Sequence, residues 1–308
     1  MKKLTIGLVL LLLLTPITTQ AQVLIPGGQV IGIQLGDPLT ISAFDQHSSA
    51  KEAGLQVGDR ITHINNKKVD TLSLLRQAIE SANGPISVRY VRNGAENTVS
   101  VRPQAGQLGI YMHKTVTGIG TVTYYDPVTG AYGALGHGIN NKNGELLQNE
   151  TGTVYDSRIL SVQPGTAGEP GRLIGSLYAD APLGSLEKNT DRGIFGTLDT
   201  IPHKPVMETG LPQTGDAIIQ CTVDGKSLQE YSVKILKIYP SDRQNGRNML
   251  LQITDPQLLD TTKGIVQGMS GSPIIQNEKL VGAVTHVLVN DPTTGYGIFI
   301  ENMLDAAA

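Results

Sequence analysis

One stretch near the carboxyl end of this 308-residue chain decides the fold: Gly264–Pro273, which reads GIVQGMSGSP. Glycines at 268 and 271 allow a tight backbone that points N–H groups inward. The N–H groups of Gly268 and Ser270 would then form an oxyanion hole beside the Ser270 hydroxyl. The stretch therefore predicts a nucleophilic serine. The simpler alternative is a structural turn in which Ser270 or Ser272 caps a backbone group.

A histidine that could act as the base of this serine lies far upstream, at the end of a predicted hairpin. Gly120–Tyr125 alternates like a strand, and Asp126–Gly130 has proline early and glycine late, as turns do. The return strand, Ala131–Gly138, places His137 between two glycines, where it would face a cleft. A lone histidine is more often a surface residue, and the downstream serine loop is what favours a catalytic role. His286, on the strand after the serine loop, is the runner-up base.

The composition limits the possible classes of protein. Hydrophobic residues make up 39% of the chain and charged residues 17%, which indicates a globular protein rather than a disordered one. The chain has 36 glycines and 16 prolines but no Trp and only 3 Phe, which favours a mainly β fold. The formal charge of −3 gives no overall basic field, so we expect no nucleic-acid partner. The single cysteine, Cys221, excludes an intramolecular disulfide and a cysteine-based zinc cluster, and we expect no metal and no cofactor.

The amino terminus has the order of an export signal. Lys2 and Lys3 precede the apolar run Leu4–Leu14, and small and polar residues follow as far as Ala21. The run is shorter than the roughly 20 residues that a membrane-spanning helix needs. We therefore expect residues 1–21 to be a signal peptide or a signal anchor, in a protein of a bacterial envelope compartment.

A second pattern follows the export segment. Its defining residues are Ala53–Ile61, which read AGLQVGDRI, then Ile64-Asn65 and a stretch from Leu72 with helical apolar spacing. These residues resemble a PDZ domain, which we expect over residues 22–105. In PDZ domains a peptide adds as a strand, and its terminal carboxylate sits in a nest of backbone N–H groups. The loop taken to match that nest is Gly32, Ile33, Gln34, Leu35. The alternative is a structural module whose groove holds no ligand.

Three segments together identify a family more specifically than the serine loop or the His137 hairpin alone. They are Gly133–Ile139, Gly264–Asn277 and Gly282–Val287. They closely resemble the SpoIVB peptidase family of spore-forming bacteria, and the order of export segment, PDZ domain and peptidase also fits. The resemblance implies a chymotrypsin-like double β-barrel peptidase domain over residues 106–308. It also implies that His137 is the base and Ser270 the nucleophile.

The sequence leaves two aspartates open for the acid that would orient His137. The position that matches the family is Asp255, within the sequence Ile253-Thr254-Asp255-Pro256. A chymotrypsin-like chain usually has its acid nearer the middle, where Asp180 would be the better analogue. Asp-Pro is also a common start of a turn, so Asp255 has a structural alternative.

The resemblance further implies a role in sporulation signalling. Such a serine endopeptidase is exported from the forespore into the space between the forespore and mother-cell membranes, and the N-terminal segment could attach it to a membrane. There it would cleave a membrane-bound regulator similar to SpoIVFA, trigger the processing of pro-sigma-K, and process its own N-terminal region. Two other interpretations are a non-enzymatic envelope PDZ binding module and a general envelope serine protease. The HtrA-type proteases of the latter class place the PDZ domain after the peptidase.

Overall fold

The computed structural model describes five ranges of the chain: 21–37, 39–113, 115–147, 151–239 and 246–308. The expected export segment therefore lies outside the described residues, apart from Ala21. Within the described ranges no helix is long and apolar enough to cross a membrane. Strands far outnumber helices in these ranges, so the prediction of a mainly β chain is confirmed.

The described part of the chain begins with two strands, β1 (Val23–Pro26) and β2 (Val30–Leu35), and a small separate unit follows them. The elements of that unit are β3 (Ile41–Phe44), α1 (Ser49–Glu52), β4 (Arg60–Ile64), β5 (Lys67–Lys68), α2 (Leu72–Glu80), β6 (Ile86–Arg92), β7 (Ala95–Val101) and β8 (Ile110–Met112). Strands β5, β4, β6 and β7 form one sheet in that order, and β3 pairs with β8.

Local sequence explains how this unit packs. The Thr71 hydroxyl accepts the N–H of Leu74 and so begins α2, as N-cap threonines do. On the inner face of α2, Leu75 and Ile79 are buried in an apolar core that is built only from residues 39–112. The PDZ pattern thus folds around a core of its own.

After this unit, the chain forms the remaining strands of a nine-stranded sheet that also contains β1 and β2. Its later strands are β9 (Val116–Tyr125), β10 (Ala131–Ala134), β11 (Gly152–Gln163), β12 (Arg172–Leu186), β13 (Lys188–Thr190), β14 (Gly193–Thr197) and β15 (Met207–Glu208). The main order is β12-β11-β2-β9-β10-β14-β13, while β1 pairs with β9 and with β15. Gly184 and Leu198 form an isolated bridge that brings β12 back towards the β14 side of the sheet.

The PDZ unit is an insertion in this sheet, which corrects the expected domain boundary. Strands β2 and β9 pair antiparallel from Val30 opposite Thr121 to Leu35 opposite Val116. They are therefore the two arms of one hairpin, and the PDZ unit is the loop between them. The expected start of the PDZ domain at residue 22 is too early, because Val23–Pro26 and Val30–Leu35 are strands of the nine-stranded sheet.

The carboxyl-terminal part closes into a six-stranded barrel in the order β16-β17-β18-β21-β20-β19. Its elements are β16 (Gly215–Asp224), β17 (Ser227–Ile238), β18 (Met249–Ile253), α3 (Pro256–Thr262), β19 (Pro273–Gln276), β20 (Lys279–Leu288), β21 (Asp291–Phe299) and α4 (Ile300–Ala307). Cys221 is a buried free cysteine in the barrel core, and burial raises the pKa of its thiol to about 12. The serine loop lies between α3 and β19.

Candidate active site

A cavity of about 430 Å³ lies where the nine-stranded sheet meets the barrel. His137 enters it from the sheet, while Gly268, Ser270 and His286 enter it from the barrel. The structure therefore brings together the base and the nucleophile that the sequence predicted, although they lie far apart in the chain.

Two threonines of β9 hold the serine loop by its carbonyl groups. The Thr121 hydroxyl donates to the Gly268 carbonyl at 2.8 Å, and the Thr121 N–H donates to the Ser270 carbonyl at 3.1 Å. The Thr123 hydroxyl donates to the Gly271 carbonyl at 2.8 Å. These bonds join the nine-stranded sheet to the loop that carries the serine.

The serine loop has carbonyl groups that are hydrogen-bonded to β9, and two N–H groups without a partner among the described residues. The N–H groups of Gly268 and Ser270 make no hydrogen bond to any of the described residues. Gly268 has φ +101° and Gly271 has φ +97°, which other residues rarely adopt. A Cβ at Gly271 would also lie 2.0 Å from the Thr121 carbonyl oxygen. The backbone geometry thus requires the glycines that the sequence offered and is compatible with the predicted oxyanion hole.

The Ser270 hydroxyl rests on a carbonyl rather than on a base. Its Oγ donates to the Thr285 carbonyl oxygen of β20 at 2.8 Å. Ser270 is only half-buried, so its Oγ remains within reach of a molecule in the cavity. Rotation of this side chain would be needed before His137 could accept its proton.

His137 is held in the form that a general base requires. Its Nδ1 lies 2.9 Å from the Gly138 carbonyl oxygen. Because a carbonyl only accepts hydrogen bonds, Nδ1 carries the hydrogen and Nε2 keeps its lone pair. Burial lowers the pKa of His137 below 6.5, and the bond to Gly138 opposes this shift. The imidazole is therefore neutral at pH 7.

Close packing fixes the backbone that carries His137. Gly136 has φ +70°, and a Cβ there would lie 2.8 Å from Cγ2 of Thr285 and 2.9 Å from Cγ2 of Ile298. A glycine is required at this position because the end of β10 meets the barrel there.

The structure does not bring the predicted acid to His137. Asp255 is the N-cap of α3: its Oδ1 accepts the N–H groups of Gln257 and Leu258 at 3.0 Å. Its Oδ2 accepts the N–H of Ser232 at 3.3 Å. These bonds give Asp255 the structural role that the Asp-Pro pattern allowed.

The alternative acid, Asp180, makes no hydrogen bond to His137 either. Asp180 is an exposed residue of β12, and Asp242, another aspartate between His137 and Ser270, lies outside the described residues. Over the ranges that the structure describes, no hydrogen bond or ion pair links His137 to a carboxylate.

The peptide-binding loop of the PDZ domain was misplaced by sequence reasoning. Gly32, Ile33, Gln34 and Leu35 lie in β2, whose two edges are occupied by β9 and β11. A Cβ at Gly32 would lie 2.4 Å from Cβ of Leu177, so these residues have no room for a peptide. The prediction was wrong because β2 is an inner strand of the nine-stranded sheet and lies outside the PDZ unit.

A groove of about 280 Å³ between β8 and α2 has the features that Gly32–Leu35 lacks. Strand β8 pairs only with β3 among the described strands, so its other edge is open towards α2. The lining of the groove includes the apolar residues Leu75, Ile79 and Ile110, and also Arg76. The signal was present in the sequence as Leu108–Ile110, a short Leu-Gly-Ile segment that leads into β8.

With this geometry known, comparison with protein families decides the identity. The family model described as SpoIVB peptidase S55 matches residues 104–304, and a PDZ domain model matches residues 40–92. The chain belongs to the SpoIVB peptidase S55 family. It is a serine peptidase with a PDZ domain, and both expectations are confirmed.

Individual relatives are more distant. The zinc metalloprotease RasP of Geobacillus kaustophilus (strain HTA426) is 31% identical over 105 residues, which cover 32% of this chain. The chain matches only 23% of the length of that relative. The inactive form of the Rv3671c protease is 15% identical with a TM-score of 0.33, and the match covers 62% of this chain and 84% of that one. The active form, from M. tuberculosis, is 15% identical with a TM-score of 0.34 and covers 63% and 73%. With TM-scores this low, these structures do not bear on the roles of individual residues in the site.

Proposed function

We infer that Ser270 and His137 are the nucleophile and the base of this serine peptidase. The observation that supports the assignment most strongly is that Ser270, His137 and Gly268 line one cavity. Among the described residues, Nε2 of His137 and the N–H groups of Gly268 and Ser270 have no hydrogen-bond partner. In the reaction, Ser270 turns from the Thr285 carbonyl and gives its proton to Nε2 of His137 as Oγ attacks the substrate carbonyl.

The oxyanion formed by that attack would be bound by the N–H groups of Gly268 and Ser270. Nε2 of the protonated His137 then gives the proton to the leaving amine as the peptide bond breaks. Water hydrolyses the ester on Ser270, with His137 again taking and returning one proton. The products are the two peptides and the free enzyme.

The walls of the cavity favour an apolar substrate. They include Ile33, Val116, Leu135 and Val266, and its described lining residues carry no Asp, Glu, Lys or Arg. We propose that an apolar side chain beside the scissile bond packs against these walls, because burial of apolar surface is favourable.

The assignment is tested with the Ser270→Ala and His137→Ala variants on a peptide substrate. Each should lose several orders of magnitude in kcat while the protein keeps its circular dichroism spectrum and melting temperature. Ser100→Ala and His47→Ala, at exposed positions in the PDZ unit, are the matched controls. Near-normal cleavage by the Ser270→Ala variant would refute the assignment.

We further propose that the protein acts in sporulation signalling, exported into the space between the forespore and mother-cell membranes. Its substrate there would be a membrane-bound regulator of the SpoIVFA type, cleaved to trigger pro-sigma-K processing, and it would also process its own N-terminal region. Family membership supports this proposal. The experiment is co-expression with the membrane-bound regulator: the Ser270→Ala variant should leave both the regulator and its own N-terminal region uncut. Digestion of many sites in an unfolded protein mixture would instead favour a general envelope protease.

The groove between β8 and α2 is our candidate site for a peptide or chain terminus from such a partner. An extended peptide could pair with the open edge of β8 and place apolar side chains over Leu75 and Ile79. The groove is connected to the cavity by a short segment, because β8 ends at Met112 and Val116 already lines the cavity. A substrate held in the groove would thus be held near the site of cleavage.

A further inference from the structure

The reaction requires a positive charge on His137 in a mainly apolar cavity. A protonated imidazole in such surroundings is costly unless polar groups offset its charge. Its Nδ1 is already bonded to the Gly138 carbonyl. Among the described residues, the cavity contributes no carboxylate that could compensate the charge.

His286 is the titratable side chain that shares the cavity with His137. The two ring centroids are 5.2 Å apart, and the planes are tilted by 42°. Nδ1 of His286 is buried and has no hydrogen-bond partner in the described part of the chain. An unpaired buried polar atom costs free energy, so its presence in an active-site cavity needs an explanation.

The surroundings of His286 keep its own ring neutral. Burial lowers its pKa to about 4, and His137 and Arg247 act in the same direction. Its cross-strand partner on β21 is Tyr296, and the guanidinium of Arg247 lies 5.3 Å from the centre of the Tyr296 ring. His286 can therefore face the charged form of His137 without repelling it at neutral pH.

We propose that His286 is a positioning residue for His137: its neutral imidazole holds the orientation of the His137 ring, and its buried nitrogen stabilises the positive charge that His137 gains. This inference rests on the assignment of His137 as the base. It gives His286 part of the role that was expected of Asp255, without making it the base itself.

The test compares His286→Leu, which has similar size and no polar atom, with His286→Gln, which keeps a polar group. In the His286→Leu variant kcat should fall roughly 10- to 100-fold with little change in KM, because the base is misplaced and its cation is less stable. The acid limb of the kcat/KM profile should move to lower pH, since a less stable cation means a lower pKa of His137. The His286→Gln variant should lose less activity and keep its acid limb close to that of the wild type.

Each other outcome overturns the proposal. Wild-type kcat and pH profile in the His286→Leu variant would show that the residue only fills space. A loss as complete as that of His137→Ala would make His286 the base. Equal losses in both His286 variants with no shift of the acid limb would indicate a packing defect. If the His286→Leu variant does not fold, NMR titration of His137 in the His286→Gln variant carries the test: the pKa of His137 should stay within a few tenths of its wild-type value, and a clear fall would refute the role of the polar group. The His137→Ala and Ser270→Ala variants test the underlying assignment separately.

Discussion

The hydroxyl of Thr121 should matter to catalysis although it never touches the substrate. Thr121→Val keeps the shape of the side chain but removes the donor that lies 2.8 Å from the Gly268 carbonyl oxygen. Thr121 is buried, so the loss leaves that carbonyl without its partner, at a cost of about 1–3 kcal/mol. The Gly268–Met269 peptide is then freer to rotate, and because Gly268 is a flexible glycine, the preceding peptide can turn the Gly268 N–H away from the oxyanion.

Loss of one oxyanion donor typically lowers kcat on the order of 100- to 1000-fold, which sets the upper limit of the expected effect. Since about 1.4 kcal/mol corresponds to a factor of ten, we expect a fall of kcat of roughly 10- to 100-fold. KM should change little, because the ground state of the substrate does not use the oxyanion hole. The assays are cleavage of a short apolar peptide and thermal unfolding followed by circular dichroism.

Thr123→Val is the matched control. Its hydroxyl makes a bond of the same length to the Gly271 carbonyl, on the far side of Ser270 from Gly268. Both variants should lose comparable stability, but Thr121→Val should lose more kcat. Equal losses of kcat in the two variants would refute the argument that Thr121 aims the Gly268 N–H.

Asp255, His137 and the PDZ groove can each be tested by one further experiment. Asp255→Asn should keep kcat within a few-fold of the wild type, because asparagine is also a good N-cap, whereas a loss like that of His137→Ala would restore Asp255 as the acid. Because burial lowers the pKa of His137, the active, neutral form should persist to a lower pH than for an ordinary histidine. We therefore expect kcat/KM to decline on acidification with a midpoint below 6.5, and a midpoint above 6.5 would contradict this effect of burial. Leu72→Glu, in the lining of the PDZ groove, should impair cleavage of the full membrane-bound substrate more than of a short peptide, and Leu74→Glu, equally exposed on α2 but outside that groove, should not. Identical behaviour of these two variants would mean that the groove is idle.

The serine loop could be predicted from the sequence because its requirements are local. Gly268 and Gly271 have backbone angles that other residues rarely adopt. The hairpin turn before His137 is formed by consecutive residues, Asp126–Gly130, whose types are typical of turns. The contacts that aim the loop could not be foreseen. Thr121 and Thr123 look like ordinary strand residues, and their bonds to the loop depend on how the two halves of the peptidase pack.

The errors have a physical cause as well. Residues 30–35 have the mainly apolar sequence of a short strand, which would suit either domain. Nothing near them in the sequence reveals that their partner strand begins at Val116, beyond the PDZ unit. The role of Asp255 was ambiguous for a different reason. An aspartate before a proline suits a helix N-terminus and a catalytic acid equally well in sequence, and the bonds to the N–H groups of Gln257 and Leu258 distinguish the two only in the folded chain.

The most direct test of the central claim is the site of reaction with a serine-directed fluorophosphonate, mapped by mass spectrometry on the full chain. The reagent requires an activated serine, so it reports on the pair rather than on either residue alone. We expect a single modification, on Ser270, that disappears in the His137→Ala variant and persists in the Asp255→Asn variant. A folded protein that is not modified at Ser270, or whose modification at Ser270 survives the loss of His137, would contradict it.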